Sequence, residues 1–226
     1  MRKNINIIGI SCYYHDSAAA LVQNGRVINA IQEERLTRIK HDSSFPINSI
    51  KKILEINNLS LKEIDYFVFY EKPFVKFERL MDTYVSFAPN GIKSYLKSMP
   101  LWIGEKLFQK KKLINQLNKI EKIDHIEKKL KFSEHHLSHA ASAFYPSPFK
   151  ESIILTIDGV GEKVTTSIAV GKDKDISIKK EIHFPHSLGL LYSSFTHFLG
   201  FKVNDGEYKV MGLAPYGKPI YEDKIK

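Results

Sequence analysis

A repeated strand pattern constrains the fold of this chain more than any other feature. In each copy an apolar strand, a short loop, a second strand, a tight turn and a third strand are followed by a helix. The predicted strands of the two copies are Ile5–Ser11, Ala18–Gln23 and Arg26–Gln32, then Ser152–Ile157, Val164–Val170 and Ile176–Phe184. Helices are predicted at Pro46–Ile56 and Ser187–Leu199. The repetition predicts a duplicated α/β fold with a cleft between its halves.

The predicted organisation follows from the two copies. Residues 1–150 form the first half, which includes a further strand at Ile64–Tyr70 and a helical insertion at about 71–131. Residues 151–226 begin a second half that is incomplete. In folds of this kind we expect the two tight loops to face each other and bind phosphate through backbone amides.

Composition excludes several classes of protein. With 43% hydrophobic and 26% charged residues, the chain is predicted to be globular and not disordered. Cys12 is the single cysteine, which excludes an internal disulfide framework and fits a reducing compartment. No stretch approaches about 18 apolar residues, and the first residues do not resemble a signal peptide. A cytoplasmic protein without a membrane span is therefore expected.

The net charge of +9 comes mostly from one segment, since residues 91–131 hold eleven lysines against four acidic residues. Apolar residues recur there at three- and four-residue steps, which predicts an amphipathic helix with a lysine-rich outer face. Such a face suits nucleic acid or anionic lipid, but aromatic and arginine side chains for base recognition are scarce. A solvated helix face is favoured, and a nucleic-acid partner is not expected.

A histidine pair marks a candidate metal site. His135 and His139 are four residues apart, so both imidazoles would lie on one face of a helix. Asp158 closes an apolar strand and precedes Gly159, which would place a carboxylate at the edge of a sheet. This ligand set suits iron, zinc or manganese better than calcium. An ordinary histidine pair and an ordinary Asp-Gly turn remain open alternatives.

Two further groups fit a cleft that handles phosphate. The loop after the first strand presents His15 and Asp16 together, and His15 is a candidate general base. The segment from 206 to 217 combines three glycines with Lys209, so glycine-rich turns there could surround phosphate while the lysine supplies the countercharge. Neither group is specific alone.

Taken together and in order, these motifs resemble those of the nodulation-type O-carbamoyltransferases over nearly the whole chain. The segments that carry the resemblance are Tyr14–Ala19, Glu33–Arg35, Tyr70–Arg79, His135–Ala143, Asp158–Gly159 and Lys209–Gly217. The resemblance implies an actin-like, ribonuclease H-like domain related to sugar kinases and to the tRNA threonylcarbamoyl-adenosine transferases.

The implied activity has two stages. In the family, a carboxy-terminal domain makes carbamoyl-adenylate from carbamoyl phosphate and ATP. The amino-terminal domain then transfers the carbamoyl group to a hydroxyl of a sugar-containing or natural-product acceptor. The 226 residues hold no candidate for the carboxy-terminal domain, which another chain could supply, so activity of these residues alone is an open question.

The resemblance also implies residue roles. His135, His139 and Asp158 match the family's metal ligands, with iron expected first and zinc or manganese as alternatives. His15 matches the histidine that acts in transfer, beside Asp16. Lys209 and Gly212 match a stretch near the nucleotide site.

Two alternatives differ in class. An actin-like ATPase or sugar kinase would use the same loops without a histidine-bound metal. A catalytically inactive binding fragment would dock its lysine-rich segment on a partner. A metallopeptidase is disfavoured because no glutamate lies between His135 and His139.

Overall fold

A computed structural model describes residues 4–102 and 108–225 of the chain. The chain divides into two compact units, Met1–Ser138 and His139–Lys226. The eight strands of the described residues are β1 (Asn6–Ser11), β2 (Ala18–Gln23), β3 (Arg26–Gln32), β4 (Tyr66–Phe69), β5 (Leu130–Phe132), β6 (Glu151–Ile157), β7 (Val164–Lys172) and β8 (Asp175–His183). The helices of the described residues are α1 (Glu34–Thr37), α2 (Ile47–Ile56), α3 (Pro73–Ser86), α4 (Ile92–Trp102), α5 (Gln109–Ile120), α6 (Ile126–Lys129), α7 (His135–Phe144), α8 (Leu188–Phe198), α9 (Glu207–Leu213) and α10 (Glu222–Ile225).

The first unit is built on a five-stranded mixed sheet in the order β3-β2-β1-β4-β5. The strands β1, β2 and β3 form an antiparallel meander, and β4 and β5 continue the sheet parallel to β1. A five-stranded mixed sheet with flanking helices agrees with the ribonuclease H-like fold that the resemblance implies. One face of the sheet packs on α2 and α5, where Ile8, Phe67 and Leu113 are fully buried.

The Asn24–Gly25 turn between β2 and β3 forms as predicted. Both residues have positive φ, 51° and 82°, which glycine tolerates and asparagine tolerates better than other residues. The side chain of Asn24 also accepts a hydrogen bond from the backbone N–H of Ile5, which fixes the start of the first strand.

The lysine-rich segment is not the single amphipathic helix that its periodicity predicts. Helix α5 ends at Ile120 because Glu121 is extended, and α6 begins after His125, which has a left-handed φ of 56°. The strand β5 follows directly and was missed within the predicted helical insertion. Its apolar residues still face the same core, so three- and four-residue spacing could not distinguish one helix from helix, turn and strand.

The second unit contains a three-stranded antiparallel sheet in the order β6-β7-β8. It repeats the meander of the first unit, and its strands agree with the second predicted copy to within a residue or two at each end. The last residues of α7 pack on this sheet, where Phe144 and Ile154 are buried with Ala140 and Ala169. Helix α8 follows β8 as predicted.

None of the helices in the described residues is long and apolar enough to cross a membrane.

Candidate active site

Helix α7 carries both predicted histidine ligands. His135 begins the helix and His139 follows one turn later on the same face, as predicted. The boundary between the two units falls inside this continuous helix, between Ser138 and His139. His135 is 14% exposed and His139 is 51% exposed, so the first histidine is set into the protein and the second is accessible.

Asp158 lies directly after β6, at the predicted strand end. Its backbone N–H donates to the carbonyl of Thr165 at 2.8 Å, and its Oδ1 accepts from the N–H of Gly159 at 2.7 Å. The side chain of Asp158 therefore binds the backbone of the loop that follows β6. The other carboxylate oxygen, Oδ2, lies 3.9 Å from Nε2 of His139.

Helix α8 holds the Asp158 backbone in place. Ser187, at the helix start, donates its hydroxyl to the carbonyls of Asp158 and Gly159 at 3.2 and 2.6 Å and accepts from the N–H of Leu190 at 3.0 Å. Gly189 lies so close that a Cβ there would be 2.5 Å from the Asp158 carbonyl oxygen. A side chain at position 189 would therefore displace Asp158 or the helix.

The donor set fits a transition metal. Atoms bound to one ion at about 2.1 Å can be at most about 4.2 Å apart. The 3.9 Å between Nε2 of His139 and Oδ2 of Asp158 is within this limit, and α7 presents His135 on the same face as His139. Two imidazoles and a carboxylate are ligands typical of zinc and of iron. His136 is 3% exposed and packs its ring against His135, which agrees with leaving it outside the ligand set.

His15 and Asp16 form a second candidate centre, in the loop after β1. Nδ1 of His15 lies 2.7 Å from Oδ2 of Asp16, and Nδ1 of His41 lies 2.9 Å from Oδ1. The hydrogen bond from His41, with that from His15, holds the pKa of the Asp16 carboxyl below its usual range. The carboxylate therefore stays charged and accepts a hydrogen bond from the Nδ1–H of each imidazole. Because Nδ1 of His15 carries the proton, its Nε2 is left as a proton acceptor.

His41 was missed in the sequence, although it lies four residues after helix α1, which begins at Glu34. The backbone N–H of His41 donates to the carboxylate of Glu34, a residue of the Glu33–Arg35 motif. Asp16, Glu34 and His41 also offer ligand atoms within 4.8 Å of one another. Both Asp16 oxygens already lie within hydrogen-bond distance of histidine Nδ1 atoms, an arrangement that favours orientation of His15 over metal binding. Only the loop fold brings His41 to Asp16, and no spacing in the sequence could have shown it.

Lys209 and Gly212 lie in helix α9, so the predicted glycine-rich turns are wrong at these positions. Gly206 lies at the helix start, where a Cβ would meet Lys202 and Phe201 at 2.8 Å. A Cβ at Gly212 would have no neighbour within 4 Å, and Nζ of Lys209 lies 5.8 Å from the ring centre of Tyr208. Glycine spacing gave the wrong result because a short helix also accommodates isolated glycines. A role of these residues near a nucleotide stays a prediction.

Glu71 belongs to the Tyr70–Arg79 motif, to which the sequence gave no role. Its carboxylate is 2% exposed, and Oε2 lies 3.1 Å from Nζ of Lys76 and 3.9 Å from Nδ1 of His135. Glu71 lies between β4 and α3, and only the packing of these segments brings it to His135, so no spacing in the sequence could have shown it.

Comparison with known proteins identifies the family. Residues 6–226 match the model of the carbamoyltransferase N-terminus. The uncharacterized protein sll1178 of Synechocystis is 56% identical over 97% of this chain and 36% of its own length. The nodulation protein NolNO of Sinorhizobium fredii is 40% identical over 92% of this chain and 28% of its own length. The chain thus spans about a third of the length of the curated relatives it matches.

A solved structure of a PPX-GPPA enzyme from Aquifex aeolicus has a TM-score of 0.37 at 13% identity, covering 96% of this chain and 65% of that chain. The family model, by contrast, covers nearly every residue, and the ordered motifs agree with it. The chain belongs to the carbamoyltransferase family, in the part that forms the amino terminus of its members.

Proposed function

We propose that this chain is the transfer domain of an O-carbamoyltransferase, which moves a carbamoyl group from carbamoyl-adenylate to a hydroxyl of a sugar-containing or natural-product acceptor. One observation carries the proposal: Oδ2 of Asp158 lies 3.9 Å from Nε2 of His139 in a chain of the carbamoyltransferase family. His139 itself lies one turn after His135 on the same helix. In this proposal the adenylate is made from carbamoyl phosphate and ATP by a carboxy-terminal part, on the same protein or on another chain.

The two histidines and Asp158 are the residues that would hold a divalent metal, with iron first and zinc or manganese as alternatives. A bound metal would act as a Lewis acid and stabilise negative charge on the reacting carbonyl or phosphate. His135 and His139 lie one turn apart on one helix, and the backbone of Asp158 is fixed by backbone and hydroxyl hydrogen bonds. Each candidate ligand is therefore held within its own element.

His15 supplies the proton transfer. Its Nε2 accepts the proton of the acceptor hydroxyl as the hydroxyl oxygen forms a bond to the carbamoyl carbon. The bond between that carbon and the phosphate oxygen of the adenylate breaks, and AMP leaves with the electron pair. Asp16 stabilises the imidazolium that forms and keeps Nδ1 protonated through its 2.7 Å hydrogen bond to His15. Lys209 and Gly212 are proposed to lie near the nucleotide.

Transfer of labelled carbamoyl groups tests the proposal. The 226-residue chain is mixed with the part of the Synechocystis relative that lies outside the match, ATP, radiolabelled carbamoyl phosphate and a panel of sugars and nucleosides. We expect AMP release and a labelled carbamate ester, and we expect a loss of about 10²–10⁴-fold in transfer for His15→Asn. His125→Asn is the matched control, because His125 is exposed at the start of α6 and its Nδ1 lies 3.6 Å from Glu127.

Labelled adenylate that forms without any carbamate product would contradict the proposed transfer. Transfer that survives both His15→Asn and His139→Ala would remove the proposed roles of these residues. An actin-like ATPase or kinase would instead turn over ATP without carbamoyl phosphate.

Metal content gives a second test that needs no substrate. Elemental analysis of anaerobically purified chain should find a first-row metal that is lost in the His135→Ala, His139→Ala double variant. Equal metal content in the folded wild type and the double variant would overturn the assigned ligands.

A further inference from the structure

Glu71 lies where a carboxylate can orient a metal-binding histidine. It lies two residues after the end of β4 and two residues before the start of α3, and its Oε2 is 3.9 Å from Nδ1 of His135. This distance exceeds that of a hydrogen bond, and a shift of about 1 Å would close it. Glu71 is 2% exposed and His135 is 14% exposed, so bulk water screens this pair far less than a surface pair.

Two cationic side chains lie beside Glu71 and hold its carboxylate in place. Nζ of Lys76 donates to the same carboxylate oxygen at 3.1 Å from the first turn of α3. Arg79, one turn further along, interacts electrostatically with Glu71. A carboxylate that pairs with a lysine has oxygen lone pairs to accept further hydrogen bonds, so Glu71 can accept one from an imidazole N–H.

The His135 ring is confined as well. It packs against the ring of Tyr70, with centroids 5.6 Å apart, and Ser138 donates its hydroxyl to the Tyr70 carbonyl at 2.9 Å. The first turn of α7 is thereby attached to the end of β4, from which Glu71 follows. An imidazole held between an aromatic ring and a carboxylate has one preferred orientation, with Nδ1 toward the carboxylate.

We propose that Glu71 is a positioning residue that keeps the proton of His135 on Nδ1 and so presents its Nε2 as the metal ligand. The inference rests on the proposed metal site and assigns it an outer carboxylate, which none of the sequence motifs had indicated. Ligand histidines in metalloproteins commonly donate their second N–H to such a group, and its loss typically lowers metal affinity by about 10–100-fold.

Two variants and a matched control separate this role from that of a structural ion pair. Glu71→Gln removes the charge at nearly constant volume. The Glu71→Met, Lys76→Met double variant removes the acceptor together with its lysine, so the lysine is not left buried without its partner. Glu134→Gln is the control, because it makes the same charge change beside His135 at a residue that pairs with Lys72, at 2.7 Å.

Two readouts are measured on the intact 226-residue chain. Long-range ¹H–¹⁵N spectra of the metal-free protein report which nitrogen of His135 carries the proton. Competition titration with Zn²⁺ alone reports affinity. We expect an Nδ1–H tautomer in the wild type and in Glu134→Gln, and a shift toward Nε2–H in the double variant. We also expect Zn²⁺ affinity to fall by about 10–100-fold in the double variant and by about tenfold in Glu71→Gln.

The readouts fail independently. If the wild type binds no Zn²⁺, the proposed metal site fails in this chain, and the tautomer alone decides the role of Glu71. An Nε2–H tautomer in the wild type, or a tautomer and an affinity that are unchanged in both Glu71 variants, would overturn the inference. An equal loss of affinity in Glu134→Gln would also overturn it, since general charge would then explain the effect.

Discussion

The two units begin with the same three-stranded meander but bury it to different degrees. In the first unit β1 is an inner strand, with β2 on one side and β4 on the other, and Ile8 on it is fully buried. In the second unit β6 pairs with β7 alone within the described residues. The apolar side chains on one face of β6 are exposed to solvent: Ile153 is 76% exposed, Leu155 60% and Ile157 53%.

This difference shows that a strand pattern specifies a meander and not the amount of core around it. Alternating apolar residues predicted β1 and β6 equally well, yet the helices and parallel strands that cover β1 have no counterpart over the outer face of β6 in the described residues. Asp158 follows the strand with the sparser core and His15 follows the strand with the denser one. We therefore expect these two residues to be held with different stability.

The largest expected effect tests the two cores at matched positions. Ile8→Ala should lower the free energy of unfolding of the first unit by about 2–5 kcal/mol, because closely packed neighbours leave a cavity. Ile154→Ala in the second unit should cost about 2 kcal/mol, because its sparser surroundings can collapse around the missing atoms. Hydrogen exchange resolved by peptide measures both units in one experiment. Equal costs in the two units would contradict the comparison.

The second prediction concerns how each meander connects to its helix. Glu33 is fully buried and accepts hydrogen bonds from the backbone and side-chain groups of Asn48 and Ser49, at 2.6–3.0 Å, at the start of α2. Glu33→Gln should cost about 2–4 kcal/mol, because an amide N–H₂ would then face buried donors. Urea unfolding followed by circular dichroism measures the loss.

The second unit provides the counterpart, since α8 is capped by the neutral hydroxyl of Ser187. Ser187→Ala should cost about 1 kcal/mol, the usual value for a lost cap. A larger loss of unfolding free energy for Ser187→Ala than for Glu33→Gln would contradict this prediction. The half-buried cap of α8 would then contribute more to stability than the buried carboxylate at the start of α2.

The third prediction asks how tightly the second unit holds Asp158. Gly189→Ala should cost about 1–3 kcal/mol through overpacking, since the new Cβ would lie 2.5 Å from the Asp158 carbonyl oxygen. It should also weaken Zn²⁺ binding to the proposed site. Gly212→Ala is the control in the same unit: it lies in a helix with open space around it and should stabilise by about 0.5–1 kcal/mol. Similar effects of the two substitutions would show that α8 moves freely away from Asp158.

The sequence predicted the strands of both meanders well because alternation and turn residues act locally, as at Asn24 and Gly25, but it missed β5. It placed His139 and Asp158 for the same reason, since one helix turn and one strand end fix their positions. It could not find His41 or Glu71, whose relation to Asp16 and His135 depends on how distant segments pack. It also gave the wrong structure for the glycines near Lys209, because a segment with isolated glycines is compatible with both a short helix and a turn.

The smallest expected effect concerns the loop that carries His15. Hydrogen bonds from His41 and His15 lower the pKa of Asp16 on folding. The contribution of Asp16 to stability is therefore complete above the unfolded value of about 3.9 and is lost as pH falls through the lower, folded value. Asp16→Asn should remove that part of the acid sensitivity of the first unit, and urea unfolding between about pH 2 and 6 measures it.

Asp42 sits in the same region, and its pKa is also lowered, by hydrogen bonds from Ser44 and Thr37. Some acid sensitivity will therefore persist in Asp16→Asn, and the wild type and variant must be compared by the slope of stability against pH. Since Asp16 is a third exposed, solvent screens its interactions and the slope difference should be small. Identical slopes would mean that His15 and His41 do not favour the charged carboxylate, and His15 would then lack the fixed tautomer that its role as a base requires.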